Sequence, residues 1–325
     1  MSLFQTDAWQ SAWWDTWGQK RSRCLLRGWG RGASGVYESK YSFKGILPVH
    51  SMQFVGTSDR SFRAPRTEYN TFREDTAITA GLAADIPVLL RDSDWTEAVF
   101  ADLRANSMEV QELYSLANKH NWMTRVANQD TAYSVSTEGL FETYLQSLGP
   151  NTRLKLFNRR KVLETMGEVK LEECWPSNAA LFFTHLNRLH LTRWEKPCFG
   201  EESLRFHATF LERLTAEGGK PHLSILSCNG SILSVLYNVF FNKVVYNIQA
   251  GYEENFHKKL SLGTLHLGYA IEEAFKDPET TVFDMLAGKG KNENYKSRLA
   301  TAQEDLISLM LVKSRLFKSL YGLKD

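Results

Sequence analysis

Pro221-His-Leu-Ser-Ile-Leu-Ser-Cys228, Asn229-Gly230, Ser231-Ile-Leu-Ser-Val-Leu-Tyr-Asn-Val-Phe-Phe241, Asn242-Lys243, Val244-Val-Tyr-Asn-Ile-Gln249 is three apolar runs divided by two-residue turns. β-Branched and aromatic residues fill the runs, and Asn-Gly is a strong short hairpin signal, so the stretch predicts an antiparallel meander. Downstream, residues 262–276 set Leu265, Leu267, Ala270, Ile271, Ala274 and Phe275 on the broad apolar face of a helix. Residues 281–286 read as a further strand. Upstream, helices are expected over 178–193 and 201–216, a strand over 168–174, and helices over 138–148 and 152–166, the last behind Pro150-Asn151.

The first part of the chain has a different texture. Ala8, Trp9, Ala12, Trp13 and Trp17 recur at helical spacing and Gly18 offers a stop, which predicts an amphipathic opening helix. Residues 22–55 read as short strands joined by glycine turns, and 94–107 and 108–120 as helical or mixed elements. The polar stretch 128–137 reads as an exposed connection and sets the expected boundary: a first domain over 1–137 and a second over 138–325.

The chain has 325 residues with 43% hydrophobic and 23% charged residues, the composition of an ordinary globular protein of about two domains. The formal charge of +2 excludes the global electrostatic footprint of a dedicated nucleic-acid binder. Cys24, Cys174, Cys198 and Cys228 lack the paired spacings of a zinc or redox motif and suit a reducing compartment. No secretory signal and no membrane-length apolar run is visible, so a cytoplasmic location is expected. The chain carries no nucleophile elbow, Walker A loop, dinucleotide fingerprint or metal-binding histidine spacing, and no bound metal is expected.

Phe283-Asp284-Met-Leu-Ala-Gly288 followed by Asn294-Tyr295-Lys296-Ser-Arg298 resembles the C-terminal motif of FemAB-like GNAT proteins, in particular the CelD-like group linked to cellulose and other envelope polysaccharides. Tyr144-Leu-x-x-Leu148 leading into Arg153 and Arg159-Arg160, His190-Leu-Thr-Arg193-Trp194, and Phe4-Gln-x-x-x-Trp9 with Trp13-Trp14 agree with that group, so the resemblance covers most of the chain. It departs at Leu260-Ser261-Leu262-Gly263, where the family often has Ser-Pro-Gly. The resemblance implies an α/β (α+β) fold of tandem GNAT-like domains, with mostly antiparallel mixed sheets flanked by helices. The first domain would be degenerate and the second would hold the acyl donor. It further implies transfer of an acyl group from acyl-CoA to an amine on an envelope polysaccharide, amino-sugar, amino-lipid or metabolite acceptor, with peripheral association to membrane-bound machinery. FemAB relatives use aminoacyl-tRNA, so tRNA is the one nucleic-acid partner left open. A catalytically silent binding or assembly protein of polysaccharide export is a third reading.

Acyl transfer needs a deprotonated acceptor, donors aimed at a developing oxyanion, and a protonated leaving group. Gln249, Ala250 and Gly251 would supply backbone donors along a pantetheine arm, although they also fit a strand ending in a glycine turn. Leu262, Gly263 and Thr264 open a helix whose free N–H groups favour a pyrophosphate, and many helices open this way without a ligand. Asp284 would orient or deprotonate the acceptor; it equally suits a capping or ion-paired role. Lys296 and Tyr295 take, from the resemblance, the donor carbonyl and leaving group, while Lys296 alone reads as a solvated loop lysine. Arg159 and Arg160 lie in a basic segment suited to phosphates or to solvent. His190 titrates near neutral pH and is a candidate base or a structural histidine. Glu68 follows Phe54-Val-Gly56 where the family has an acidic segment, which makes it a candidate acceptor-site acid or base across the domain cleft, or a plain loop residue.

Overall fold

The computed structural model describes residues 1–60, 62–73, 81–288 and 295–322; Asn294 of the expected motif lies outside them. Ser2 caps a 3-10 turn at Leu3–Gln5, and the Thr6 hydroxyl accepts from Trp9 N to cap α1, Asp7–Trp13. A π-helical turn, Trp14–Gly18, and α2, Gln19–Arg21, carry the chain past the expected stop. Gly18 serves packing instead: a Cβ there would stand 2.3 Å from the Trp14 ring.

Three strands follow as an antiparallel meander: β1 Arg23–Leu26, β2 Val36–Phe43 and β3 Leu47–Phe54. Lys44 and Gly45, both at positive φ, make the tight β2–β3 turn that matches strand twist. After α3, Gly81–Asp92, comes β4, Glu97–Arg104, parallel to β3, and then α4, Met108–Lys119, with the Ser107 hydroxyl at its N-cap. Residues 128–137 are not a loop: β5 spans Met123–Ser136. Its middle, Asn128 to Thr131, is polar because that part of the strand is exposed or half-buried, and only Ala132 and Val135 of the strand are buried.

The expected 152–166 helix is three pieces: α6 Pro150–Arg153, a π turn Leu154–Asn158, and α7 Arg160–Glu164, following α5 Phe141–Ser147. Then come β6 Val169–Glu173, α8 Ala179–Trp194, α9 Glu201–Ala216, β7 Lys220–Cys228, β8 Ser231–Phe241 and β9 Val244–Tyr252. Helix α10 Leu262–Lys276, β10 Val282–Ala287, α11 Lys296–Leu299, β11 Ala302–Val312 and α12 Arg315–Gly322 complete the chain.

Two compact units result: Met1–Thr131 with Arg205–Glu217 and Glu304–Asp325, and Ala132–Leu204 with Gly218–Gln303. This differs from one cut after residue 137, for a physical reason. Phe206 and Phe210 of α9 pack edge-on against the buried Trp9 at 5.0 and 4.9 Å, so that helix completes the first core. Strand order is β1-β2-β3-β4-β11 in the first unit and β5-β10-β9-β8-β7-β6 in the second. Both units run an antiparallel meander, a helix, then a strand parallel to the last meander strand. The strand beside that parallel pair comes from the other half of the chain: β11 beside β4, and residues 132–136 of β5 beside β10.

The meander of the second unit matches its expectation, with β8 placed to the residue and buried on both faces, as a central strand should be. Helix α10 covers one face through Leu267 and Ile271. Leu186 and Leu189 of α8 lie on the other, where a Cβ on Gly251 would stand 3.2 Å from each.

Candidate active site

Strands β9 and β10 pair in parallel at Val244–Val282, Val245–Phe283 and Tyr246–Asp284, and no further pair follows among the described residues. Just past that point each strand carries one extra residue. In β9 the step from Asn247 to Gln249 faces adjacent Asn238 and Tyr237 of β8, which makes Ile248 the bulge. In β10, Asp284 to Ala287 faces Ser134 to Ala132 of β5. A bulge bends its strand, and two together open a fork with Asp284 at its base. Beyond the fork residues 247–252 stay bonded to β8 on one edge, leaving the edge towards β10 without a strand.

Asp284 is 6% exposed, and its Oδ1 accepts from Leu286 N at 2.7 Å. Leu286 has a φ of 59°, a conformation a leucine rarely adopts, and its carbonyl takes a second bond. Lys296 Nζ donates to Leu286 O at 3.0 Å and to Ala287 O at 2.9 Å. Asp284 and Lys296 therefore brace one bulge from its N–H and C=O sides. Tyr295 packs on the same core, and burial raises its phenol, with Tyr252 adding to the shift and Arg193 opposing it.

The opposite wall comes from α8 and β9. His190 Nε2 donates to Ala250 O at 3.1 Å, which leaves Nδ1 as the basic nitrogen. Burial, the largest influence, lowers the His190 pKa, so the ring is neutral near pH 7. Gln249 bonds to both His190 and Cys198, and its Oε1 accepts from Ala250 N at 3.0 Å. That last bond occupies the one of the three expected backbone donors that faces away from β8; the Gln249 and Gly251 N–H groups face β8. The Cys198 thiol is pushed up to about 12 by burial and is no nucleophile. One turn along α8, Arg193 lies 4.5 Å over the Tyr252 ring and pairs with Glu254 at 2.7 Å.

Helix α10 starts beside this wall. Ser261 at its N-cap makes no side-chain bond to the helix backbone, so the first N–H groups keep their electropositive end. Leu262 is 2% exposed and can offer a ligand only its backbone, whereas Ser261 and Thr264 join hydroxyls at 3.1 Å. A Cβ on Gly263 would stand 2.5 Å from the Tyr252 ring, so glycine lets that ring lie on the helix. Sequence reasoning missed what lies beneath. His266, 1% exposed and held neutral by burial at about 3, links Ser224 Oγ and Ser234 Oγ at 3.0 Å each. Ser234 in turn donates to Gly251 O at 3.1 Å, tying α10 to the open strand. Its members sit on four separate elements, so no spacing in the sequence could have signalled it.

Three other expected members sit elsewhere. Arg160 is buried against α10, paired with Glu272 and stacked 4.3 Å over Phe157 and 3.8 Å over Tyr269, so it braces the helix; Arg159 is half-buried at the joint before α7. Glu68 belongs to the first unit, 3% exposed and 3.7 Å from Arg66 Nε. Arg66 forks onto Asp102 with two 2.7 Å bonds and reaches Asp130 at 2.7 Å. The second unit therefore assembles Asp284, Tyr295, Lys296, His190, Gln249, Ala250, Gly251 and the start of α10, without Glu68.

This fork, with a helix starting beside it, is the architecture of GNAT acyltransferases. Residues 150–297 match the family model described as an acetyltransferase (GNAT) domain. With the repeated meander, helix and parallel strand of the first unit, the chain has a tandem GNAT-like fold. It is similar in fold to a conserved protein of unknown function from Bacteroides thetaiotaomicron VPI-5482 at a TM-score of 0.57 and 10% identity, covering 95% of this chain and 90% of that one. FemX matches at 0.57 and 10%, covering 96% and 93%, and L-PGS from Bacillus licheniformis at 0.53 and 10%, covering 96% and 94%. No curated protein matches the chain significantly. Among the described residues no helix is long and apolar enough to cross a membrane, and no cluster of His, Cys, Asp and Glu could hold a metal ion.

Proposed function

We propose that the protein is an acyl-CoA-dependent N-acyltransferase of the FemAB-like, CelD-like group, acting on an amine of an envelope polysaccharide, amino-sugar or amino-lipid precursor. The observation that carries this reading is the double-bulged fork between β9 and β10 with Asp284 at its base. The open edge of residues 247–252 suits the amides of a pantetheine arm, and the α10 N-terminus suits a pyrophosphate. In this reading the acceptor amine loses a proton to Asp284 or to neutral His190 as its nitrogen attacks the thioester carbonyl. The Ala250 N–H, which faces away from β8, holds the carbonyl oxygen as it gains charge, once the Gln249 side chain gives way. The carbon–sulfur bond breaks, and Tyr295, kept protonated by burial, hands its proton to the departing thiolate. Lys296 braces the bulge that positions Asp284.

An aminoacyl-tRNA donor is the second reading, favoured by the likeness to FemX together with the Asp284-to-Lys296 motif. Donor binding separates the two. Purified protein titrated with CoA, acetyl-CoA, long-chain acyl-CoAs and aminoacyl-tRNA should gain thermal stability with an acyl-CoA in a saturable way. Binding of aminoacyl-tRNA alone, steeply weakened by salt, would replace the first reading with the second. Failure of every donor would leave a binding or assembly protein.

A further inference from the structure

One face of the first unit's sheet is apolar and the other is not. Register places Ser39, Ser51 and Glu97 in one row across β2, β3 and β4, and Tyr37, Gln53, Val99 and Met310 in the next. Ser39 is 3% exposed, Ser51 0%, Gln53 7% and Glu97 5%, so this polar set is buried although nothing in forming a core requires it. Met52, Phe54, Ala98 and Phe100, pointing to the opposite face, supply that core. A cavity of about 320 Å³ opens over the polar rows, large enough for a small organic molecule.

The chemistry at its end is one-sided. Glu97 accepts from Tyr41 Oη at Oε1 and from Tyr321 Oη at Oε2, both at 2.7 Å. Burial first, and Glu97 second, hold Tyr321 up at about 12 and raise Tyr41 further, so both phenols stay protonated and spend their hydrogens on the carboxylate. What Glu97, Tyr41 and Tyr321 still turn to a ligand is lone pairs, for Arg125 lies 5.3 Å over the Tyr321 ring. Asp59 adds a second carboxylate to the lining, against the single guanidinium of Arg60. Arg60 itself lies 4.1 Å over the Tyr41 ring, so this aromatic wall already takes a cation.

We infer that this cavity binds a small organic cation, an alkylammonium group seated against Glu97 between Tyr41 and Tyr321. The site lies wholly in the first unit and does not depend on acyl transfer by the second. An ammonium supplies donors to the remaining lone pairs of Glu97, and its alkyl part meets Val99 and Met310.

Isothermal titration of the full chain with ethanolamine, choline and butane-1,4-diamine, with butanol and butyrate as controls, tests it. At least one cation should bind saturably while butyrate does not, and Glu97→Gln should weaken binding about tenfold or more. Because Glu97→Gln could disturb both tyrosine bonds, Val99→Phe, which fills the cavity and keeps the carboxylate, should abolish binding in a protein that still melts cooperatively. Absence of binding by all three cations up to ~10 mM, or binding that survives Val99→Phe, overturns the assignment.

Discussion

At the scale of the residue, the fork assigns different work to side chains that the motif presents together. Asp284 and Lys296 both attach to the strained stretch around Leu286, one from its N–H and the other from its carbonyl. Asp284→Asn keeps an acceptor for Leu286 N but cannot take a proton, so turnover should fall by roughly 10²-fold or more with donor affinity preserved. Lys296→Ala should also cut turnover, through a loosened bulge, with far-ultraviolet circular dichroism unchanged. Turnover equal to wild type in Lys296→Ala would remove that bracing role. Asp284, Tyr295 and Lys296 were legible because they lie close in sequence and share a motif. The His266 link from Ser224 to Ser234 was not, since its partners are brought together only by the packing of α10 on β7 and β8.

At the scale of the element, close approach governs α10. A Cβ on Gly268 would stand 2.2 Å from Leu156 O, a backbone atom in the π turn that cannot step aside as a side chain would. Gly268→Ala should therefore destabilise the protein by about 1–3 kcal/mol, measured by denaturant unfolding. At Gly263 the clash is with the Tyr252 ring, which can swing, so Gly263→Ala should disturb the Arg193–Tyr252 stack and weaken donor binding more than it lowers stability. Apolar runs rich in β-branched and aromatic residues, divided by Asn-Gly, marked β7 and β8 plainly in the sequence. The middle of β5 was hidden because Asn128, Gln129 and Asp130 carry loop-like side chains on an exposed or half-buried stretch of strand. The single expected helix at 152–166 differs for the opposite reason: its apolar spacing is helical, but the chain takes a π turn at Leu154–Asn158, where Leu156 O lies close against Gly268 of α10.

At the scale of the whole molecule, two segments group with a unit far from them in sequence. A fragment ending at residue 137 lacks Phe206 and Phe210, which cover Trp9, and lacks β11, which pairs with β4. Such a fragment should not unfold cooperatively, whereas the full chain should. Nothing local at residues 205–217 says that their apolar face belongs to the first core, which is why a cut after 137 is what the sequence suggests. Each unit also buries one neutral histidine, His207 and His266, whose folded pKa is pushed from 6.5 down to about 3 by burial. The unfolded chain takes up those protons first, so stability is full above pH 6.5 and is lost as pH falls towards 3. Between ~pH 7 and ~pH 5.5 each histidine should remove roughly 1 kcal/mol, and His266→Gln should abolish its share of that slope.

The central claim, that the fork between β9 and β10 holds an acyl thioester, is tested most directly by intact-complex mass spectrometry with acyl-CoAs, comparing the wild-type chain with Gly251→Trp. The wild type should retain one acyl-CoA with a saturable rise in melting temperature, and the variant, whose indole would be forced against Leu186 and Leu189 beside the open strand, should lose both. A wild-type protein that binds no acyl-CoA, or a folded variant that binds it equally well, would contradict the account.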